Sequence, residues 1–203
     1  SSQNSCKDLL LAAEKLLTDC KNFGTLPFAT MARISFIGSA LLKSLQKKGI
    51  FGNDFYDNFI NSISTPLTDI QNDVLDLKNK KISKRIFFKK YGHLRPGTYD
   101  ITRDRYDKNN TFFSDIDFKK KVNPKRTQFN KKIVSELLLK HLDIGSDVDL
   151  FNFIQDAIMK REELKFEFTK NLSDSLELIA EAGDGMGFTR NELSNLDLNT
   201  IMK

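Results

Sequence analysis

The sequence predicts an all-α protein, a multi-helix domain with one long irregular loop insertion at about residues 91–127. Two observations support this prediction. Apolar residues recur at intervals of three and four through most of the chain, which is the spacing of one helix face. This periodicity stops between Tyr91 and about Gln128, where glycine and proline interrupt it at Gly92, Pro96, Gly97 and Pro124.

The residues before the insertion predict five helices, and the signals that begin and end them are local. The turn from Asn22 to Pro27 should end the first helix, and Gly49 should end the second. Pro66 suits a first helical position, where its missing N–H costs nothing. The predicted segments are Cys6–Lys21, Ala29–Lys47, a short helix capped by Asn53, a helix from Pro66 to about Leu77, and Lys81–Lys90.

The residues after the insertion predict three more helices. One covers about Gln128–Leu142, and a long one runs from about Asp147 to Ala182 before a glycine-rich stop at 183–187. Thr189 and Glu192 have the spacing of a capping box for a last short helix. We therefore expect residues 1–203 to form a single helical domain, with the motif-bearing insertion as its irregular part.

The composition is that of an ordinary folded domain. The chain has 203 residues, a formal net charge of +5 and seventeen phenylalanines, which can build a core. No uninterrupted run of about 18 apolar residues is present, so we expect no membrane contact. No signal-peptide pattern precedes the first helix, and Cys6 and Cys20 should lie roughly 20 Å apart on it, too far for a disulfide. These features favour a cytoplasmic location.

Two basic segments, Lys78 to Lys90 and Lys119 to Lys132, hold much of the positive charge. Such segments suit nucleic acid or another polyanion. Neither one interleaves aromatic residues with glycine, as an RNA-binding sheet does. We expect a solvated surface and no nucleic acid, and we keep a helical nucleic-acid-binding module as the alternative.

Three cations fall on apolar helix faces. Arg33 lies in the apolar stripe of the second helix, while Arg161 and Lys165 lie one turn apart on the long helix. Burying an unpaired charge is costly. Either internal carboxylates neutralise these cations, which would suit a structural spacer domain, or the cations converge on a cavity that binds an anion. Possible internal partners are Asp69, Asp100, Asp104 and Glu162.

The insertion begins with a dense polar motif, Tyr91-Gly-His-Leu-Arg-Pro-Gly-Thr-Tyr-Asp100, which Arg103 and Arg105 follow. Glycine allows the backbone to approach a ligand, and the fork of Arg95 suits phosphate or carboxylate. His93 could donate a hydrogen bond to a phosphoryl oxygen. The motif is therefore a candidate anion site, although a simple turn could use the same residues. No metal site is predicted.

Residues 91–100 resemble a motif in the central helical region of phosphoenolpyruvate-synthase-like phosphotransferases, which include rifampicin phosphotransferases. Thr25–Ile37, Arg161–Lys170 and Gly187–Leu196 are similar to other blocks of that region. Leu94, Arg95 and Thr98 depart from the rifampicin branch, and the variant is closer to the branch of capsule clusters that includes L-glutamine kinase.

The resemblance implies a fragment of a longer multidomain enzyme. In such enzymes an ATP-grasp domain uses ATP and Mg to phosphorylate a carrier histidine in a third domain, and AMP is formed. This chain would be the acceptor-binding domain, and would bind no cofactor and be inactive alone. It would bind a small polar acceptor (pyruvate, glutamine, a sugar or a drug) and the incoming phosphate. The proposed lining is Arg33, His93, Arg95, Arg161 and Lys165, with Thr98, Tyr99, Asp100, Arg105 and Thr169 as further candidates.

Overall fold

The computed structural model describes residues 2–109, 136, 139–140 and 149–201. Within these ranges every regular element is a helix, which confirms the all-α prediction. The elements are α1 (Ser2–Asp19), a π-helix (Cys20–Thr25), α2 (Leu26–Lys47), α3 (Phe55–Asn61), α4 (Pro66–Lys78), α5 (Lys84–Tyr91), α6 (Leu150–Gly185), α7 (Arg190–Ser194) and α8 (Leu198–Ile201). Most of the predicted helix 128–142 and the insertion beyond residue 109 lie outside the described residues.

Several predicted boundaries are confirmed. Pro66 begins α4, and Gly49 follows α2 with a φ of 74°, in the left-handed region that favours glycine. The Thr189 and Glu192 side chains each bond the other residue's backbone N–H, so the capping box is present. The cap of α3 is Asp54, one residue after the predicted Asn53.

The predicted turn at 22–27 is wrong, because these residues are helical. The π-helix joins α1 to α2 without a break. Gly24 packs directly against the Cβ of Phe168, so the glycine serves close packing and not a turn. Pro27 is the second residue of α2, a first-turn position where its missing N–H is tolerated.

The chain divides into two compact units. The first unit contains residues 2–27, 69–109 and 164–201, and the second contains residues 28–68 and 149–163 together with 136 and 139–140. In the first unit, one apolar cluster includes Ala13, Ile179 and Leu193. Another cluster of the same unit combines Val74, Phe87, Tyr91 and Tyr106. Together these two clusters form the base on which the motif loop is held.

The core of the second unit is aromatic. Phe51 stacks on Phe55 with a centroid distance of 4.0 Å, and Phe151 meets the rings of Phe55 and Phe59 edge-on at 6.0 Å. Leu42 and Ile154 are fully buried in the same cluster. We call the four phenylalanines the aromatic cluster.

One helical run, Ser5–Lys47, has an 18-residue window with a hydropathy of 1.3, of which 22% is buried. By length and composition this helix could cross a membrane, contrary to the sequence expectation. The expectation required an uninterrupted apolar run, whereas the window contains interspersed polar residues. Core helices of soluble proteins and signal sequences pass the same test, so this finding assigns no location.

Candidate functional site

The motif loop, residues 92–109, is an ordered turn in the first unit. It doubles back on itself, because the amide of Tyr106 donates to the Leu94 carbonyl at 2.8 Å and the amide of Asp107 donates to the Gly92 carbonyl at 3.2 Å. Gly97 has a φ of 74°, a conformation that strains residues with a side chain. The loop therefore has one defined path that presents its polar side chains to α6.

Arg95 is the buried centre of this loop, and its side chain is 1% exposed. Its Nη2 donates to the Ser173 carbonyl, the Ser173 hydroxyl and Glu177 Oε1 at 3.0, 2.9 and 2.9 Å. Its Nη1 donates to the Arg103 carbonyl at 3.3 Å. The guanidinium therefore ties the loop to α6, and its fork is directed at protein groups.

Glu177 receives two further cations. Lys108 Nζ and Arg190 Nη2 lie 2.5 and 2.9 Å from Glu177 Oε2. Burial opposes ionisation of this carboxyl, but hydrogen bonds from Arg190 and Lys108 outweigh burial and lower the pKa of Glu177 to about 2. We call Arg95, Lys108, Glu177 and Arg190 the Glu177 cluster. Three positive charges meet one negative charge in it.

His93 is 6% exposed and packs edge-on against Phe166, with ring centroids 4.9 Å apart. Its Nε2 has no hydrogen-bond partner among the described residues. Burial, and then the charges of Lys170 and Arg105, lower the pKa of His93 to about 4. The imidazole is therefore neutral near pH 7, and Nε2 can accept or donate one hydrogen bond according to its tautomer.

The other predicted loop residues have local roles. Arg105 bonds Asp174 and, at 2.9 Å, Asp107. Asp100 accepts from the Thr102 amide at 2.9 Å and from its hydroxyl at 2.6 Å. Thr98 has a φ of 46°, Tyr99 is 60% exposed, and the buried Thr169 hydroxyl donates to the Phe166 carbonyl of its own helix. The structure brings the Arg105 and Arg95 side chains to the same face of α6.

Arg33 was predicted to be enclosed, and this prediction is wrong because its side chain is exposed. The buried face of α2 instead follows Ala32, Ser35, Gly38, Leu42 and Leu45. Gly38 determines this orientation, since a Cβ at this position would lie 2.9 Å from Ile154 Cγ1. On a helical wheel, Phe36 and Ile37 belong to the apolar stripe that contains Arg33, but in the structure they are 64% and 69% exposed.

Lys165 and Arg161 also differ from the expectation of an anion cavity. Lys165 is exposed, and no residue of α6 between 159 and 168 is fully buried. Arg161 bonds Glu162 at 2.5 Å and the Ser35 hydroxyl at 3.2 Å, and lies 5.7 Å from the ring centroid of Phe36. Of the carboxylates suggested for Arg161, Glu162 is the partner in the structure.

Sequence reasoning missed four residues of the site: Lys108, Ser173, Glu177 and Arg190. A signal for Glu177 was available. Thr169, Ser173 and Glu177 follow one another at intervals of four on α6, and Ala180 continues the same buried side. The prediction rests only on the cations of apolar faces. A buried carboxylate on such a face points equally to a charged cluster.

The basic segment 78–90 has seven Lys and Arg residues and no Asp or Glu, and all seven are exposed. Lys90 bonds Asp73 at 2.9 Å. The second basic segment, Lys119 to Lys132, lies outside the described residues. The exposed side of the segment 78–90, which includes most of α5, therefore carries mainly positive charge.

The arrangement at the Glu177 cluster can attract an anion to the exposed ends of Lys108 and Arg190, which are 57% and 27% exposed. In the described part of the chain, no group of three His, Cys, Asp or Glu residues is placed to hold a metal ion. Cys6 and Cys20 are both free and buried. Comparisons with family models, with curated proteins and with solved structures find no match to the chain.

Proposed function

We propose that this chain is the acceptor-binding helical region of an ATP-dependent, AMP-forming phosphotransferase of the phosphoenolpyruvate-synthase-like class. The carrier histidine, ATP and Mg would belong to ATP-grasp and phosphohistidine domains of the same protein. The acceptor would be a small polar molecule. An amino-acid amide such as L-glutamine, in cytoplasmic capsule biosynthesis, is the acceptor that the sequence resemblance favours.

The observation that carries the proposal is the excess of positive charge in the Glu177 cluster. Three cations share one carboxylate in this cluster, and the neighbouring Arg105 bonds two more carboxylates, Asp107 and Asp174. Four cations thus meet three carboxylates, and one positive charge remains near the half-exposed Lys108. Phosphoryl transfer depends mainly on positioning and on cations around the phosphoryl oxygens. A site of this charge suits the incoming phosphate.

The packing of the resembling blocks supports the same proposal. The motif loop contacts α6 through Arg95, and α7 contacts the loop through Arg190, whose Nη1 donates to the Ile101 carbonyl at 2.8 Å. The π-helix meets the 161–170 block at Phe168. His93 also packs against Phe166 of the 161–170 block. Parts of three of the four resembling blocks, at residues 91–100, 164–170 and 187–196, therefore lie in the first unit, whereas residues 28–37 of the fourth block belong to the second.

The residues divide into two roles under this proposal. Arg95 is a positioning residue, because its donors are used by Ser173, Glu177 and the loop backbone. Lys108 and Arg190 would bind the phosphate. The neutral His93 has an unpaired Nε2, and because this atom is buried it would hydrogen-bond the acceptor or a phosphoryl oxygen only after the motif loop moves.

The proposal is tested first with the full-length protein that it requires. AMP formation from ATP should depend on one acceptor when pyruvate, L-glutamine and sugars are supplied separately. ATP turnover without AMP, or AMP formation by the 203-residue chain alone, would contradict it.

A second test uses this chain and inorganic phosphate, with binding followed by calorimetry. Lys108→Ala should weaken phosphate binding about threefold to tenfold, because one charge contact is lost. Lys160→Ala is the matched control, since Lys160 is 55% exposed and also bonds a glutamate, Glu163. Equal binding by both variants would remove Lys108 from the site.

The basic surface of α5 supports a second candidate function, the binding of nucleic acid through its phosphates. The segment 78–90, which includes most of α5, has seven exposed cations and no Asp or Glu of its own. The test is binding to a DNA duplex over a salt series. Affinity should fall steeply with salt, and should fall further when Lys84, Arg85 and Lys89 are replaced by glutamine. Absence of binding at low salt would exclude this function.

A further inference from the structure

A pocket of about 370 Å³ lies in the first unit between the π-helix and α6. We infer that it is a binding site for a small organic cation, a primary ammonium group joined to an apolar or aromatic arm. The volume falls within the range of about 300–1,000 Å³ that is typical of small-molecule sites. This inference is independent of the phosphotransferase proposal.

The π-helix builds one wall of the pocket. A π-helix is rare, and where it occurs inside a longer helix it is frequent at functional sites. Here it brings Gly24 against Phe168, and the Cys20 thiol donates to the Phe168 carbonyl at 3.6 Å. Phe23 remains 76% exposed beside the pocket. The unusual helix geometry therefore leaves an aromatic ring open at the entrance.

One face of α6 forms the opposite wall. Leu164, Phe168 and Asn171 line it, at helical intervals of four and three residues. Leucine and phenylalanine provide an apolar floor, and the side-chain amide of Asn171 provides a hydrogen-bonding group. The wall is thus suited to a ligand that is partly apolar and carries at least one N–H group.

The charged residues that line the pocket favour a ligand with a positive charge. Asp19 and Glu167 both line the pocket, and no Lys or Arg is among the lining residues that the structure describes. Lys170 Nζ bonds both oxygens of Glu167, at 2.8 and 2.6 Å, and so neutralises that carboxylate. No ion pair to Asp19 occurs within the described residues. Asp19 is therefore the charge that a cationic ligand would neutralise.

Other ligand classes fit less well. An anion would face the Asp19 carboxylate without a cation in the lining. A metal ion would require a group of three ligating residues, and the described residues contain none. An ammonium group can bond the carboxylate while its apolar arm packs on Phe23 and Phe168, and a cation near an aromatic face gains further attraction.

The first experiment titrates three probes of similar size into the 203-residue chain: 2-phenylethylammonium, 2-phenylethanol and 3-phenylpropionate. Binding is followed by calorimetry at low salt. The cation should bind at least fivefold more tightly than the alcohol, and the anion should bind weakest. No binding of the cation up to about 20 mM, or equal affinity for all three, would overturn the inference.

The second experiment tests whether the Asp19 carboxylate is the group that binds the cation. Asp19→Asn keeps the shape of the side chain and should reduce the affinity for 2-phenylethylammonium at least fivefold, to that of the alcohol. Asp8→Asn is the matched control, because Asp8 is an exposed aspartate of the same helix and does not line the pocket. An equal effect of both variants would indicate a general electrostatic attraction and would overturn the site.

The third experiment locates the probe. The chain contains two cysteines, so a Cys6→Ala variant leaves Cys20 as its single thiol. Cys20 lines the pocket, and bound 2-phenylethylammonium should slow its modification by a small methanethiosulfonate reagent about in proportion to occupancy. Binding of the cation with an unchanged rate of Cys20 modification would place the probe elsewhere and would contradict the inference.

Discussion

The Glu177 cluster and the aromatic cluster hold their respective units together by different physical means. In the second unit, four phenylalanine rings pack with centroid distances of 4.0 to 6.1 Å. In the first unit, the motif loop is fixed by charged hydrogen bonds from Arg95, Lys108 and Arg190 to one carboxylate. Ring packing involves no titratable group, so we expect acid to weaken the contacts of the Glu177 cluster and to leave the packing of the aromatic cluster unchanged.

The largest expected effect is that of Arg95→Met. The variant leaves the Ser173 carbonyl and hydroxyl and Glu177 Oε1 without their buried donor, although Lys108 and Arg190 still bond Glu177 Oε2. Losing several buried hydrogen bonds to one charged group should cost at least about 3 kcal/mol. Urea unfolding at pH 7 measures the loss. The control is Arg85→Met, an exposed arginine on α5, which should change stability by less than about 0.5 kcal/mol. Similar losses for both variants would show that Arg95 does not hold the loop.

The next effect concerns Glu177, whose pKa falls from an ordinary 4.5 to about 2 on folding. As the pH falls, the unfolded chain binds the proton first, so this stabilisation is complete above pH 4.5 and is lost towards pH 2. The lowered pKa of Glu177 thus contributes about 3 kcal/mol to the free energy of unfolding, because each pKa unit is equivalent to about 1.4 kcal/mol. Glu177→Gln should be less stable at pH 7 and should lose less stability on acidification.

The control for Glu177 is Glu163→Gln, because Glu163 is an exposed glutamate, 43% accessible, that also bonds a lysine. The free energy of unfolding is measured at half-unit intervals from pH 7 to the lowest pH at which the chain stays folded. A decline in Glu177→Gln as steep as that of the unmodified chain would exclude Glu177 as the acid-sensitive group.

His93 should act in a higher pH range. Its pKa falls from an ordinary 6.5 to about 4 on folding, so the unfolded chain takes up a proton first below pH 6.5. The stability that depends on neutral His93 is present above pH 6.5 and is lost towards pH 4, by no more than about 3 kcal/mol. His93→Gln should give a flatter stability profile between these values and a parallel profile above pH 7. An unchanged slope would contradict the buried, neutral state of His93.

The smallest effect is expected in the aromatic cluster. Phe59 is 2% exposed, and Phe59→Leu keeps most of its apolar volume, so the loss should be about 1 kcal/mol. The loss should be the same at pH 7 and pH 4, because no ionisable group is removed. A loss that changed with pH would remove the contrast between the two clusters.

The helices could be predicted from sequence because their signals are local. The Pro66 start, the stop at Gly49 and the capping box at Thr189 each depend on a few neighbouring residues. The junction at Cys20–Thr25 could not be predicted, because Gly24 is explained only by Phe168, which is distant in the sequence.

The candidate site was harder to predict than the helices. The sequence predicts a polar cluster at 91–106, and the side chains of His93, Arg95 and Arg105 do pack against neighbouring residues of α6. Ser173 and Glu177, the partners of Arg95, are distant from it in the sequence, so the motif alone does not indicate them. A helical wheel shows the faces of a helix, but the tertiary contacts decide which face is buried. The same limitation explains Arg33, since the contact of Gly38 with Ile154 decides the orientation of α2.

The sharing of Glu177 by three cations has a consequence for how this sequence can vary. Arg95, Lys108 and Arg190 come from separate segments, yet each contact energy depends on whether the other two are present. Loss of one cation would change the cost of losing a second. We therefore expect positions 95, 108, 177 and 190 to covary. A change of charge at one of them should be tolerated best when another changes with it.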